Sequence, residues 1–576
     1  MRRRCAAGYK ATGAAAFKEY NNLIMGMKTQ LFDDGQAAGV FMTLLLLALG
    51  LTYLAMSPSL ENGFVNWDET YTILQNPRIR TLSLESVKAI FSGPDMQMYT
   101  PLSILSYAVN YHFAGLDPVI YHAFDLLLHL ANTALVMILV RLLFSSVWAA
   151  FFTAILFGIH PAHVESVAWA AERKDVLSAF FYLASLTAWS FGPGKVKTYL
   201  LSLALFICAL FSKPMAVTLP AALLLIDYLK SEKLELRHWL NKVPFLALAA
   251  GFALVQMSYP GNTFGMHWAK RLLVPLYNLG FYIYTLVWPF SLSAMYIAVP
   301  GGKPAIYGLA AAAAAGMFLF WKYFRRDKEL VFGAAFYVLL LLPVLQFFPF
   351  GPVISADRYT YLSSIGIFSA GAVFAGRLWR RLGSAHRNIA AVCAIAAVLT
   401  LATASRVRCT AWKDGVTLWS DTARNQPPAD LIYTNLCDAY LNADMTGKAE
   451  TCLNQALRLN PENIHHRYNA CRLLLQKKEF AKAQTCFEKM FTANPCLVQA
   501  FNYAGDICLR NGETAKAERY YAGAVRCDKY NPSAYRKLGQ IALSRKDKAK
   551  AVLFYEAALA VEPADKATRG LLETLR

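Results

Sequence analysis

The sequence predicts an all-α protein, a polytopic bundle of membrane helices followed by an α-solenoid of short repeats, and three observations predict it. Hydrophobic residues make up 56% and charged residues 16% of the 576-residue chain. The apolar residues gather in blocks of near-spanning length up to about residue 405, after which the sequence turns mixed and charged. Beyond that break, residues recur with a fixed period.

The net charge of +20 fits loop placement better than a polyanionic partner. Many Lys and Arg residues stand in short loops between apolar blocks, where the positive-inside rule puts them, and no nucleic-acid partner is expected. The first block, 38–57, follows Arg2, Arg3, Arg4, Lys10, Lys18 and Lys28. It lacks the short apolar core and small-residue cleavage site of a signal peptide. It is expected to be a retained anchor, with a cytoplasmic segment over 1–37.

Further candidate spans fall near 121–143, 147–160, 176–191, 199–212, 215–229, 243–258, 304–321, 330–349, 359–376 and 388–405. The stretch 272–290 is ambiguous. If it crossed, Lys322, Arg325, Arg326 and Lys328, together with Arg377, Arg380, Arg381 and Arg387, would face outside. If it lies in the interface or re-enters, these clusters fall inside with Lys195, Lys197, Lys230, Lys233 and Arg237. The second arrangement is preferred. It gives eleven spans over a membrane domain of 38–405 and puts all later residues on the non-cytoplasmic side. In the outer loop, 58–120, Ser83 is placed to cap one short helix, and Thr100-Pro101 opens another with a Leu102, Leu105, Val109 stripe. Both are expected to lie at the membrane surface.

After a connector and partial repeat over 406–429, the repeats occupy 430–576. Ala449, Ala483, Ala517 and Ala551 stand 34 residues apart. Cys437, Cys471, Gly505 and Gly539 precede them in frame, Leu453, Phe487, Tyr521 and Tyr555 follow, and Pro461, Pro495 and Pro563 keep the same register, with Lys529 departing. Small, small, large and Pro at this period are the tetratricopeptide signature, and about four repeats are expected. Trp419 and Pro427 extend the frame upstream. The pairs Cys437 with Cys452 and Cys471 with Cys486 each link a first-helix to a second-helix position. In an oxidising compartment these are plausible disulfides.

On the deduced topology the mixed charges collect on the outer face: Asn66-Trp67-Asp68-Glu69, then His160, His163 and Glu165, then Glu172-Arg173-Lys174-Asp175, then Lys213, and finally Asp357-Arg358-Tyr359-Thr360-Tyr361. Acids and bases together suit an anionic, membrane-bound substrate. Asp68 and Glu69 also fit a solvated turn, and Arg358 fits a structural ion pair. His160 and His163 have no third ligand nearby in sequence, so no metal is expected. No Gly-rich phosphate loop, Ser-His-Asp spacing or zincin motif occurs.

The strings NWDE at 66–69, HPAHVESVAWAAERKDVLS at 160–178, SKPMAVTLPAALLLIDY at 212–228 and ADRYTYL at 356–362 resemble segments of the transmembrane-and-tetratricopeptide-repeat O-mannosyltransferase-like proteins, in particular their bacterial relatives. The resemblance implies a GT-C-type membrane fold, a polyprenyl-phosphate-linked sugar donor, and transfer to a Ser or Thr hydroxyl of a protein, with no cofactor. By the same resemblance Asp68, with Glu69 beside it, is the catalytic acid-base position. Arg358, Lys213, Arg173 and Lys174 are candidates to hold the donor phosphate, and His160, His163, Glu165, Asp175, Tyr359 and Tyr361 to support the site. If the segment is extended, Asp68 and Glu69 point to opposite sides. The implied setting is the bacterial inner membrane, with a cytoplasmic N-terminus and periplasmic repeats that bind the acceptor polypeptide. Two rival expectations are a non-catalytic anchor whose repeats recruit partners, and a transferase acting on lipid or surface glycan.

Overall fold

The computed structural model describes residues 35–96, 98–192, 195–231, 233–259, 270–297, 302–347, 353–494, 496–562 and 565–576. Most of the N-terminal segment 1–37, with its Arg and Lys residues, lies outside this range, as do Pro495 and Pro563. The described residues form helices, with isolated bridges at Asp95–Met98 and Tyr296–Ser355.

Each of the eleven apolar blocks contains a helix within its described residues. Among the described residues six helices are long and apolar enough to cross a membrane, including Pro118–Phe144, Pro304–Phe324 and Ser384–Thr410. A seventh crossing is possible if Val147–Ile159 and Pro161–Ala168, bent by 56°, form one broken span. The other blocks are helices such as Arg173–Phe191, Val196–Ser212 and Leu219–Lys230, individually too short or too polar to meet that test. Helices Lys328–Leu341 and Thr360–Arg381 approach closely through Gly333 and Gly366. A Cβ on Gly333 would stand 2.5 Å from the Gly366 carbonyl, the small-residue contact that packs helices in lipid.

The bundle has two distinct ends. At one, Lys328 bonds the Ser231 carbonyl, Lys230 bonds that of Ser190, and Arg377 pairs with Asp327 and Glu329. The mixed-charge segments are at the other. The ambiguous helix Lys270–Val287 has its contacts at this second end: His160 Nε2 meets the Leu286 carbonyl at 3.0 Å, and Asn278 donates to the carbonyls of Leu345 and Ile354. These contacts place Leu286 at the second end.

In the loop over 58–120 Ser83 caps Leu84–Phe91, accepting from Ser86 N–H at 3.1 Å. Helix Pro101–Ala114 starts at its Pro, but Thr100 makes no side-chain cap. Its protein-facing side is Ile104, Tyr107 and Ala108. Leu102, Leu105 and Val109 lie on the more exposed side.

The repeats are antiparallel helix pairs from Asp430–Asn442 to Lys548–Val561, closed by Lys566–Leu575. The sequence frame has a direct cause here. A Cβ on Gly505 would lie 2.7 Å from the Tyr521 ring, and one on Gly539 2.8 Å from that of Tyr555. In the first two repeats the small position is Cys, and Cys437–Cys452 and Cys471–Cys486 are disulfides. A third, Cys496–Cys527, ties neighbouring repeats.

Candidate functional site

The segment between helices Val147–Ile159 and Arg173–Phe191 folds as short turns, and every residue from His160 to Arg173 is buried. Charges buried in this way need partners, and the partners come from distant parts of the chain. Glu165 accepts from the Arg358 backbone N–H at 2.9 Å and from its guanidinium at 2.5 Å. Lys213 bonds Glu172 at 2.8 Å and also pairs with Asp175. Glu172 is the hub: Lys174 lies 3.1 Å away and Arg358 3.8 Å. Burial pushes the Glu172 carboxyl upward, but the charges of Lys174, Lys213 and Arg358 outweigh it and hold the group well below the usual carboxylate range.

Asp68 joins this network through Lys174, at 3.9 Å, and keeps a quarter of its side chain exposed (26%). Its surroundings raise its pKa chiefly by burial, with Lys174 pulling the other way. Glu69 points elsewhere and is fully buried. Its two oxygens accept from the backbone N–H groups of Val65, at 2.5 Å, and Ala170, at 3.1 Å. Burial raises its pKa well above normal. The two adjacent acids are therefore not equivalent: one faces the ion network, and the other ties the loop to the buried segment.

A small cleft of about 30 Å³ beside the network is walled by Lys213, Arg358, Asp175, Tyr359, Tyr361 and Ser363, among others. Arg358 lies over the rings of Trp169 and Tyr359, at 5.5 and 5.1 Å. Tyr361 O–H bonds His129 Nδ1 at 2.7 Å and accepts from Asn132.

Other sequence-predicted residues stand apart from the cleft. Arg173 is wholly buried, pairs with Asp125 at 2.6 Å, donates to the Tyr121 carbonyl at 3.0 Å, and lies over Tyr107 at 4.6 Å. Its donors are engaged within the bundle. His160 Nδ1 accepts from Ala162 N–H, and His163 sits between the Phe157 carbonyl and Ser364. Among the described residues no group of three or more His, Cys, Asp or Glu is placed to hold a metal.

Sequence reasoning missed Asp125 and the contact between the loop and the repeats. Asp125 is an acid inside an apolar helix, a pattern that should have marked it as a buried partner. Gly63 N–H bonds the Lys413 carbonyl at 2.8 Å, and Trp67 stacks on Trp169 at 4.4 Å and meets Trp419 edge-on at 5.0 Å. The loop bearing Asp68 thus rests on both the buried segment and the start of the solenoid.

This arrangement defines a polytopic helical membrane protein with a tetratricopeptide-repeat array at the face that carries its charged cleft. Tetratricopeptide-repeat families match residues 431–463, 468–532 and 504–567. The chain is 29% identical over 203 residues to the human protein O-mannosyl-transferase TMTC1, an alignment covering 31% of this chain and 23% of that protein. It is 43% identical over 91 residues to tmtc2 of Xenopus laevis, covering 16% and 11%, and 29% identical over 146 residues to human TMTC3, covering 24% and 16%. These matches support a TMTC-like relationship, and the chain spans less than a quarter of the length of these relatives. A solved tetratricopeptide-repeat protein of Thermus thermophilus, TTC0263, aligns at 16% identity with a TM-score of 0.26, covering 31% of this chain and 94% of that one.

Proposed function

We propose that this protein is a GT-C-type membrane glycosyltransferase that moves a sugar from a polyprenyl-phosphate donor to a Ser or Thr hydroxyl of a periplasmic protein. The single observation that carries the proposal is the joining, at one end of the bundle, of a partly exposed carboxylate, Asp68, through Lys174 and Glu172 to Arg358 and Lys213 beside a cleft. The similarity to proteins named O-mannosyl-transferases supports the same chemistry.

In this reading the acceptor oxygen attacks the anomeric carbon, Asp68 takes the hydroxyl proton, and the bond from that carbon to the phosphate oxygen breaks. The polyprenyl phosphate leaves with the bonding electrons. A hydroxyl is a weak nucleophile near neutral pH, so a positioned base is needed. The charge that develops on the leaving phosphate is met by Arg358, Lys213 and Lys174 through charge-assisted contacts. Arg173, held by Asp125, positions the segment that carries these groups, and Glu69 fixes the Asp68 loop. Tyr359, Glu165 and Asp175 orient the cations, and Tyr361, bonded to His129 and Asn132, supports the wall beside them.

The repeats supply a concave surface for the acceptor chain. A cytoplasmic N-terminus and periplasmic repeats follow from keeping the basic end inside, the inner membrane follows from the resemblance to bacterial relatives, and the three disulfides fit an oxidising compartment. The test is intact-mass comparison of periplasmic proteins from wild-type and deletion cells. Hexose-sized mass differences on proteins are expected, whereas a change confined to lipid or surface glycan overturns the protein acceptor, and no change in either overturns the activity.

A further inference from the structure

The side chain two residues before Asp68 is held by the repeat domain. Asn66 Nδ2 donates to Asp438 Oδ2 at 2.8 Å and to the Asn435 carbonyl at 2.9 Å, both on the first helix of the first repeat. Asn66 Oδ1 accepts from Trp419 Nε1 at 3.1 Å, on the connector helix Gly415–Asn425. Each polar atom of this amide is thus engaged by a part of the chain outside the membrane bundle. The fit is close: a Cβ on Gly415 would lie 2.0 Å from Asn66 Oδ1 and 2.9 Å from its Cγ. Gly at 415 lets the connector helix start against Asn66.

We propose that Asn66 is a positioning residue through which the connector and first repeat set the place of Asp68, so that the solenoid completes the catalytic loop as well as serving the acceptor. This rests on the reading of Asp68 as the base. The membrane bundle itself holds the loop through the Glu69–Ala170 bond, the Trp67–Trp169 stack, the Phe64–Tyr121 ring contact and His122 against the Gly63 carbonyl. Glu69 fixes the inner side of the loop and Asn66 the outer side, with Asp68 between them. A base displaced by about 1 Å loses on the order of 10²-fold in rate, so the anchor from the repeats bears on turnover.

Asp438 accepts from the amide on Oδ2, while its Oδ1 accepts from Arg472 of the second repeat. Exchanging amide and carboxylate tests the contact. In Asn66→Asp, two carboxylates face each other and the Nδ2 donor is lost, while Oδ1 still accepts from Trp419. Adding Asp438→Asn restores an amide–carboxylate bond with its polarity reversed, while the bond to the Asn435 carbonyl stays lost.

The experiment measures kcat and KM of the full chain in detergent with a synthetic polyprenyl-phosphate sugar and a short Ser/Thr peptide, and follows donor binding and melting separately. Asn66→Asp is expected to lower kcat by on the order of 10²-fold with donor binding and KM for the peptide nearly unchanged. The double variant should recover part of that loss. Gly415→Ala, which pushes on Asn66 without altering it, should lower kcat in the same direction. Wild-type kcat in both Asn66→Asp and Gly415→Ala, with Asp68→Asn inactive, overturns the positioning role and leaves the base intact. An unimpaired Asp68→Asn overturns the base and this inference with it. A loss in Asn66→Asp that the exchange does not recover even in part, or that appears only as a lower melting temperature, also overturns it.

Discussion

Replacing Asp68 by Asn removes one proton acceptor and almost no volume. The structure sets what else it removes. Lys174 stands 3.9 Å from Asp68, and at the dielectric typical of near-surface pairs that attraction is about 4 kcal/mol before desolvation is subtracted. Lys174 is not left alone, because Glu172 remains 3.1 Å away. The variant should therefore fold, insert and bind donor as the parent does. Turnover should fall by roughly two to four orders of magnitude, the usual worth of a positioned base, or about 3–5 kcal/mol in the barrier. The pH profile gives an independent reading. Burial raises the Asp68 pKa, so activity should fall away on acidification at a pH above that of an ordinary carboxylate. Lys174 holds that pKa down, so Lys174→Met should move the acid limb further upward. The assay is single-turnover transfer from a synthetic polyprenyl-phosphate sugar across pH, with donor binding measured separately. Wild-type transfer by purified Asp68→Asn, or an acid limb that Lys174→Met moves downward, refutes the reasoning.

Arg358→Ala should weaken both donor binding and turnover. Because it leaves Glu165 buried without its counter-charge, it should also cost about 3–5 kcal/mol of stability; a binding isotherm and a melting curve together check this. Arg173→Met should unfold the site by stranding Asp125, while Arg173→Met with Asp125→Leu should restore the melting temperature, since a hydrophobic pair often replaces a buried ion pair without loss. Non-reducing peptide mapping should recover Cys437–Cys452, Cys471–Cys486 and Cys496–Cys527; free thiols at all six positions would exclude the bridges. Alkaline phosphatase fused after residue 576 should be active, and a fluorescent cytoplasmic reporter active there instead would reverse the orientation.

The sequence carried the features that recur or that obey a solvent rule. The 34-residue frame was legible because Gly505 must fit under Tyr521 and Gly539 under Tyr555, and the same small position allowed two disulfides to be expected. The third, Cys496–Cys527, joins separate repeats and has no counterpart elsewhere in the frame to reveal it. The mixed-charge face was legible because charges at helix ends must be compensated. Which charge compensates which was not. Arg173 and Lys174 are neighbours on one helix start, yet one is buried on Asp125 and the other faces Asp68 and Glu172, since successive helical positions point about 100° apart. The Asn66–Asp438 contact spans most of the chain and leaves no periodic mark, so only the three-dimensional structure brings it out.

The balance of charge in the cleft bears on why Glu172 is there. Lys174, Lys213 and Arg358 all lie within 4 Å of it, so without donor the cations already have a partner. If those cations were free, they would bind the donor's phosphodiester strongly in the ground state, and such uniform binding does not speed the chemical step. A sugar phosphodiester carries one negative charge, and the departing polyprenyl phosphate gains a second as the anomeric bond breaks. By competing for the cations Glu172 weakens their hold on the singly charged diester, and the departing group, with twice the charge, competes for the same cations better than the diester does. On the proposed function, the carboxylate that competes with the donor also keeps the cations in place, and their stabilisation is then directed to the stage at which charge develops.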